Sequence, residues 1–577
     1  MTWQQQTVAL GMGLNVADSA VVVDGGECIF CQNYEVSING GYRRIDGYTA
    51  FDGRLDNTLA QAVPGSGPVR GVWLYNGDVF AWRDNAGGTA LVMHKATAGG
   101  WVAVTLTPFI PFNAGTASIA EGTAINNGSG ATATVLRVAL ASGDWGGTPQ
   151  ASGRLYVSGV TGTWSASNPI KDGATTKATA TGGVSTPALL PGGTVECANY
   201  NFYASSNSYR LYGVDGVNPA FEFDGSNFYQ LITAMPQDKP THLACHGGYF
   251  YLSFPGGSLQ RSGIGNPGKW SVALGAAELG IGDEINGLLS SVGDALLIFG
   301  SKQSAVLYGS STASLQLKPL HNDGGGLARS VQSINGNAYV VNGNGVTNFT
   351  ATQAFGDFIS AGISRKVDRF INLPDVVASY VVREKAQYRL LMADGSQMTA
   401  TFIGNQARFS RQRFPHQLRA VCSGRDAAGN ELIYAGDSNG KVYRMDYGTS
   451  FAGQSIASAI RLPFNYLKSP LHKKRFRKLL LEMQADEPTE ITVATDFDYA
   501  AVSGDVLDVD SGGGGGMLGA AIIGTVRFGS ALYPGAEINI SGVGRNIGIV
   551  LYHDSAAARP FSVNAIHLQF EIWGVQR

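Results

Sequence analysis

Few residues of this chain have the types and spacing that chemistry requires. Cys28 and Cys31 form a CxxC motif, but no second pair of Cys or His follows at the spacing of a zinc site. We therefore expect buried thiols. His242, Cys245 and His246 could share a ligand face only on a helix, and the surrounding pattern predicts a strand.

Other catalytic or metal-binding patterns are incomplete. Asp505, Asp508 and Asp510 lack the alternate oxygen spacing and the closing Glu of an EF-hand. The string SGVTGTW at 158–164 lacks the Asp of a sialidase-type box, and the Ser66 string is not a nucleophile elbow because Pro follows it. The sequence predicts no enzyme, no metal site and no cofactor.

The densest charge feature is a run of five cations in a predicted strand, at Lys473, Lys474, Arg475, Arg477 and Lys478. Alternation along a strand would place Lys473, Arg475 and Arg477 on one face. Lys474 and Lys478 would lie on the opposite face, so both faces would be basic. Three interpretations are open: a solvated edge strand protected by charge, a contact with nucleic-acid phosphates, and a contact with an acidic neighbouring subunit.

Four arginines elsewhere are further candidates for a subunit interface, because Arg is enriched at such surfaces. They are Arg43, Arg44, Arg411 and Arg413. Scattered surface arginines are the alternative interpretation.

The composition limits the class of protein to which the chain can belong. The 577 residues include 78 Gly, and only 15% are charged, against about 25% in an ordinary soluble domain. With 44% hydrophobic residues and no collagen period, the chain is folded and rich in turns. A net charge of -2 excludes a general polyanion-binding surface. Five cysteines and the lack of a signal or membrane-spanning segment predict a soluble protein assembled in the cytoplasm.

Short alternating segments around Gly, Asn, Asp and Ser turns predict an all-β protein. Seven hairpin patterns begin at residues 71, 201, 247, 293, 336, 384 and 429, and the last five steps are each about 43 to 48 residues, which is typical of propeller blades. An Ala/Gly/Ser/Thr-rich segment fills the long first step. Within it, Ile125 and Gly128 match Ile170 and Gly173, which indicates a weak duplication or a compositional bias.

We predict an irregular β-propeller of six to seven blades with an inserted small β domain and a C-terminal β-sandwich or barrel. The predicted domains are an N-terminal arm with the first strands at 1–60, the propeller at 61–112 and 192–454, the insert at 113–191, and the C-terminal domain at 455–577 with a Gly-rich loop at 511–524. The strand that closes the propeller is not identifiable from the sequence.

Two segments resemble tail proteins of short-tailed bacteriophages. The first is ECIFCQNYEVSINGGYRRIDGYTAFDGR at 27–54, and the second is LKSPLHKKRFRKLLLEM at 467–483 followed by ITVATDFDY at 491–499. With the propeller between them, the resemblance extends over about four fifths of the chain. It implies a structural protein of the virion: the tail nozzle or hub, a hexameric ring below the portal and adaptor through which the genome leaves.

The resemblance also implies partners: other copies of the chain, portal and adaptor proteins, tail fibres or tail-tip proteins, and genomic DNA in the channel, with no membrane insertion. For such a channel we favour a protein contact for the basic run, because strong binding to DNA would stall ejection.

The alternative function is a carbohydrate-binding or carbohydrate-cleaving propeller of a tail spike or fibre. In that case Trp73, Tyr75, Trp82, Tyr249 and Tyr251 could stack on sugars, although their alternate strand positions favour the blade core.

Overall fold

The computed structural model describes residues 3–19, 22–203, 208–270, 277–292, 295–309, 314–321, 324–351, 358–487, 489–499, 524–528 and 536–575. In these residues the regular structure consists of β-strands and three single-turn 3-10 helices, at Asn57–Leu59, Asp368–Phe370 and Leu373–Asp375. No helix in this part of the chain is long and apolar enough to cross a membrane. Asp505, Asp508, Asp510 and the predicted Gly-rich loop up to residue 523 lie outside the described residues.

The N-terminal strands do not form a separate arm. They are β1 (Gln4–Ala9), β2 (Phe30–Gln32), β3 (Tyr34–Val36), β4 (Tyr42–Arg44) and β5 (Tyr48–Phe51). The first four join strands from the C-terminal part of the chain, and β5 joins the last blade of the propeller. Residues 1–60, predicted as one unit, are thus divided between two domains.

The propeller begins with blade 1, and a closed six-stranded barrel is inserted after its outer strand. Blade 1 contains β6 (Ser66–Tyr75), β7 (Asp78–Asp84), β8 (Leu91–Thr97) and β9 (Gly100–Ala103). The barrel contains β10 (Phe109–Gly115), β11 (Ala124–Asn126), β12 (Thr132–Ser142), β13 (Ala151–Thr161), β14 (Pro169–Asp172) and β15 (Thr175–Ala180).

Six more four-stranded antiparallel sheets complete the propeller. In blades 2 to 6 the strands follow chain order from the inside outwards, and in blade 7 the outer strand comes from the N-terminal part of the chain. Blade 2 has β16 (Glu196–Tyr200), β17 (Arg210–Val214), β18 (Phe221–Phe223) and β19 (Phe228–Gln230). Blade 3 has β20 (His242–His246), β21 (Tyr249–Phe254), β22 (Ser258–Arg261) and β23 (Ala277–Gly280). Blade 4 has β24 (Ile285–Val292), β25 (Ala295–Gly300), β26 (Ser304–Tyr308) and β27 (Gln316–His321).

Blade 5 has β28 (Gln332–Ile334), β29 (Asn337–Asn342), β30 (Gly345–Ala351) and β31 (Phe358–Gly362). Blade 6 has β32 (Val376–Val382), β33 (Gln387–Met392), β34 (Ser396–Ile403) and β35 (Gln406–Arg413). Blade 7 has β36 (Leu418–Arg425), β37 (Glu431–Asp437) and β38 (Val442–Met445). The N-terminal strand β5 is its fourth strand, since Tyr48 pairs with Met445. Inner strand β36 then packs against β6 and closes the ring.

The prediction of an all-β propeller is therefore confirmed, with seven blades. Each of the seven predicted hairpins lies in a different blade. Local turn chemistry explains several of them. Asn76 and Gly77 have φ of 50° and 83° and join β6 to β7 as a two-residue turn whose flanking residues pair, as a type I′ hairpin requires. Asn335 and Gly336 do the same between β28 and β29.

The barrel contains the duplicated pattern as two equivalent hairpins. Ile125 pairs with Ala133 in the first, and Ile170 pairs with Ala178 in the second, and all four side chains are buried in the barrel core. The matching turn glycines also share positive φ. The barrel strands extend from 109 to 180, so its first strand begins before the predicted boundary at 113.

The C-terminal domain is a sandwich of two sheets. Its remaining strands are β39 (Ile456–Arg461), β40 (His472–Ala485), β41 (Thr489–Phe497), β42 (Gly524–Phe528), β43 (Ala536–Gly544), β44 (Ile547–Ser555) and β45 (Phe561–Val575). One sheet has the order β3-β4-β45-β40-β43 with β1 also paired to β45, and the other has the order β2-β39-β44-β41-β42. The sandwich interior and apolar side chains of blades 5 and 6 form one continuous buried core.

Candidate functional site

The predicted basic strand is β40, and it lies inside its sheet. It pairs with β45 on one side and with β43 on the other. The interpretation as an edge strand is therefore wrong. The pairing shifts register between Phe476 and Lys478, so a bulge interrupts the alternation. The prediction of two basic faces is also wrong, because Phe476, Leu479 and Leu481 are buried in the sandwich core.

Lys474 is a structural residue. Its side chain is fully buried, and the ammonium donates hydrogen bonds to the carbonyl oxygens of Ser469 (2.6 Å), His472 (3.1 Å) and Arg545 (2.7 Å). Burial lowers the pKa of this ammonium. Lys474 therefore cannot contact DNA or a neighbouring subunit in this fold, which corrects the prediction for this residue.

Of the remaining cations, Arg475, Arg477 and Lys478 lie on the outer side of the sheet, and Lys473 is half-buried. Lys478 forms an ion pair with Glu537. Arg475 is exposed and lies opposite Val543, while the guanidinium of Arg477 lies 4.8 Å from the centre of the Trp3 ring.

Two further exposed apolar side chains extend this surface. Trp573 is 51% exposed and Val543 is 40% exposed. We call the surface formed by Trp3, Arg475, Arg477, Val543 and Trp573 the outer sandwich face.

Arg44 does not lie at an outer surface. It is fully buried and donates hydrogen bonds to the carbonyl oxygens of Ala558 (2.8 Å) and Ser555 (2.7 Å), so it fixes the loop between β44 and β45. Burial lowers the pKa of its guanidinium. The prediction of a subunit contact is wrong for this residue.

Arg43 belongs to a network of six charges that joins the sandwich to the propeller. The network contains Glu35, Arg43, Asp46, Lys385, Arg389 and Asp446. Arg43 donates to Glu35 at 2.8 Å and to both oxygens of Asp46 at 2.8 and 2.9 Å. The predicted interface role of Arg43 is thus replaced by a contact within the chain.

The centre of this network is Arg389 of blade 6. Its guanidinium holds Asp446 of blade 7 at 2.7 and 2.8 Å and Glu35 of β3 at 3.2 Å. Lys385 bonds the same two acids and also Asp46. Burial acts to raise the pKa of Asp446, but Arg389 and Lys385 hold it well below its usual range. Three acids and three bases thus compensate each other at a junction where Glu35 and Arg389 are buried and the other four side chains are half-buried.

Arg411 and Arg413 lie on β35, the outer strand of blade 6, which packs against β2 and β3. The guanidinium of Arg411 lies 4.9 Å from the centre of the Phe370 ring. The backbone N–H of Arg413 donates to Asn33 Oδ1 at 2.8 Å. Both residues thus take part in contacts of blade 6 within the chain. Of the predicted candidates, the structure brings only the exposed cations of β40 to a common outer surface.

Arg137 is one of the residues that attach the barrel to the outer part of blade 2, and no sequence pattern singled it out. Its guanidinium contacts Glu222 at 2.6 Å, the Tyr203 hydroxyl at 2.5 Å and Glu121 at 3.2 Å. Burial acts to lower the pKa of the Arg137 guanidinium, but Glu222 and Tyr203 raise this pKa above its usual value. A small apolar cluster that includes Tyr156 and Tyr229 adds to the contact, as does a hydrogen bond that Arg154 donates to the Gln230 side chain at 2.9 Å.

A cleft of about 700 Å³ lies beside this attachment, between the barrel and the propeller. From the barrel it is lined by Ser118, Glu121 and Trp145, among others, and from the propeller by Asn266, Lys269 and Trp270. These residues are far apart in the chain and share no motif, so the sequence could not have identified them together.

The other residues singled out in the sequence are structural. Cys28 and Cys31 are buried and free, so the prediction of buried thiols is confirmed. His242 lies on β20 with Nδ1 2.8 Å from Glu196, and His246 has Nδ1 2.8 Å from the Ser290 hydroxyl. Among the described residues, no group of three or more His, Cys, Asp or Glu side chains could hold a metal ion.

The proposed sugar-stacking aromatic residues lie mostly in the blade cores. Tyr75, Trp82, Tyr249 and Tyr251 are buried, which confirms that they are core residues. The indole N–H of Trp73 donates to Asn199 of the next blade at 3.0 Å. The four buried aromatic residues therefore pack the propeller, and Trp73, which is half-buried, joins blade 1 to blade 2.

Comparison with known proteins identifies no family, since no protein-family profile and no curated protein matches the chain. Solved structures that match include BamB from Moraxella catarrhalis, with 13% identity and a TM-score of 0.29 over 57% of this chain and 92% of that chain. The C-terminal WD40 domain of Sif2 has 8% identity and a TM-score of 0.33, over 67% and 98%. A virginiamycin B lyase from Staphylococcus aureus has 9% identity and a TM-score of 0.35, over 69% and 98%. Likeness at this level concerns the fold alone.

Proposed function

We propose that the chain is a structural component of a bacteriophage tail. About six copies would form a ring-shaped nozzle that extends the portal and adaptor channel, retains the packaged DNA and lets it pass on ejection. The chain would then act in the virion tail after assembly in the host cytoplasm, with portal or adaptor proteins above it and tail fibres or tip proteins as neighbours.

The observation that carries the proposal is the placement of the two segments that resemble phage tail proteins. Residues 27–54 supply β2 to one sheet of the sandwich and β3 and β4 to the other. The distal segments 467–483 and 491–499 supply β40 and β41 to the same two sheets. Although more than 400 residues separate the two segments, all their strands except β5, which joins blade 7, lie in one domain. This is expected if the resemblance reflects a shared structural unit.

The outer sandwich face is the surface through which we propose that copies meet. It combines exposed Trp3 and Trp573 with Arg475 and Arg477, and Trp and Arg are the residues most enriched at the energetic centres of protein interfaces. Phosphate binding would need many unpaired cations. Here Lys474 is buried and Lys478 is paired, so the composition favours a protein contact over a DNA contact.

Mass photometry and negative-stain imaging of the purified full chain test this proposal. We expect rings of about six copies, and we expect Arg477→Glu combined with Trp573→Ala to reduce them to monomers without changing the melting temperature. Arg365→Glu is a matched control, because the Arg365 side chain is 75% exposed and lies outside the outer sandwich face. A monomer at every concentration tested, or three-fold rods, would contradict the nozzle and favour a spike or fibre.

A further inference from the structure

We propose that the cleft between the barrel and blades 2 and 3 is a binding site for a neutral oligosaccharide. Its volume of about 700 Å³ lies within the range of roughly 300–1,000 Å³ that is typical of ligand sites, and such sites prefer domain junctions. The inference does not depend on the ring proposal, since the cleft belongs to a single chain.

Two tryptophans provide flat apolar surfaces in the cleft. Trp145 stacks on Phe112 with ring centres 5.2 Å apart and an interplanar angle of 8°. Gly115 makes room for this ring, because a Cβ there would lie 2.8 Å from it. The second face of Trp145 is not covered by Phe112, and the side chain is only half-buried. A fixed, half-exposed indole is suited to stack on the C–H face of a pyranose.

Trp270 provides the facing wall from the propeller. Its indole N–H donates to the carbonyl oxygen of Pro267 at 2.9 Å, and its ring meets Phe250 edge to face at 6.1 Å. These two contacts fix the ring while the side chain stays half-buried. A ligand between Trp145 and Trp270 would therefore meet preorganised walls, which lowers the entropic cost of binding.

The charges in the cleft favour a neutral ligand. Its two acids, Glu121 and Asp144, balance its two bases, Arg137 and Lys269, and Glu121 already pairs with Arg137 at 3.2 Å. A polyanion such as nucleic acid would require an excess of cations. Carboxylate, amide and hydroxyl groups on the rim are the partners that sugar hydroxyls use, and Asn266 and Ser118 add such groups.

A peptide is the less favoured occupant. Extended peptides commonly bind by adding a strand to a free sheet edge. The barrel wall offers no such edge because its six strands form a closed barrel. The propeller wall of the cleft at 266–270 is a loop and not a strand.

The test is binding of the full chain to an array of bacterial surface glycans and neutral oligosaccharides, followed by titration of each hit with tryptophan fluorescence. We expect a neutral glycan to bind with a dissociation constant of about 1 mM or tighter. Trp145→Ala and Trp270→Ala should each weaken binding at least about tenfold, and raising the salt concentration should leave it unchanged. Trp101→Ala is the matched control, because Trp101 is a half-buried tryptophan on β9 of blade 1, outside both the cleft and the outer sandwich face.

A variant that fills the cleft covers the case in which a tryptophan variant misfolds. Ser142→Trp places an indole at an exposed position of the lining and should abolish binding with an unchanged melting temperature. The proposal is overturned if no glycan binds, if only charged glycans bind in a salt-dependent manner, or if the cleft variants bind like Trp101→Ala. Selective binding of an extended peptide that Ser142→Trp abolishes would also overturn it.

Discussion

The propeller holds its two additional domains in different ways. The sandwich shares a continuous apolar core with blades 5 and 6 and is also joined to blades 6 and 7 by six mutually compensated charges. The barrel meets blade 2 through a small apolar cluster and through Arg137, and an open cleft remains beside the contact. The sandwich therefore packs with the propeller as one structural unit. The barrel is an accessory domain, and its junction with the propeller leaves room for a ligand.

This difference predicts that removing one cation destabilises the protein more at the sandwich junction than at the barrel junction. Arg389→Ala should destabilise the chain by about 3–5 kcal/mol, because it removes the buried cation that Asp446 and Glu35 share and leaves the network with three acids and only two bases. Calorimetry should show the whole transition that includes the sandwich moving to lower temperature. In Arg365→Ala, where the side chain is 75% exposed, the change should stay within about 0.5 kcal/mol. Equal melting temperatures for the two variants would mean that the network does not hold the sandwich.

At the barrel, the same kind of substitution should have a smaller and local effect. Arg137→Ala should cost about 2–3 kcal/mol, since Glu222 keeps Tyr203 and a more distant Arg210 as partners. Hydrogen exchange should then accelerate in β12 and β13 but not in β40. Arg154→Ala is the matched control, because Arg154 donates a hydrogen bond to the neutral Gln230 side chain. This substitution should lower the free energy of unfolding by only about 1 kcal/mol. Accelerated exchange in the sandwich would show that the two domains are coupled.

The parts of the fold that were predictable are those encoded locally. The hairpin patterns repeat at a nearly constant spacing from residue 201 onwards, and each lies in one blade. Turn pairs such as Asn76-Gly77 explain some of these hairpins. The match between Ile125 and Ile170 also proved structural, because both occupy the same position of equivalent hairpins. Local propensity and hydrophobic alternation were sufficient for these features.

Features that depend on long-range pairing were not predictable. Nothing near Tyr48 indicates that it pairs with Met445 to close the propeller. Alternation misplaced Lys478 because a bulge after Phe476 shifts the strand, and a bulge has no simple sequence signal. The cleft combines Trp145 and Trp270 only after the barrel has docked on the propeller, so no local pattern could relate them.

Acidification should also distinguish the two junctions. Its effect on stability should be smaller than that of either arginine substitution. Arg389 and Lys385 hold the pKa of Asp446 below its unfolded value of about 4, so the stabilisation it provides is complete above that pH and is lost as the pH falls below it. At the barrel, burial raises the pKa of Glu222, so its contribution to stability is lost as the pH rises and not as it falls. Between pH 7 and 3 the sandwich junction should lose about 1–2 kcal/mol more in the wild type than in Asp446→Asn, as measured by melting temperature against pH. Parallel pH profiles for the two proteins would show that Asp446 is not the acid-sensitive group, and the contrast between the junctions would then rest on the two arginine substitutions.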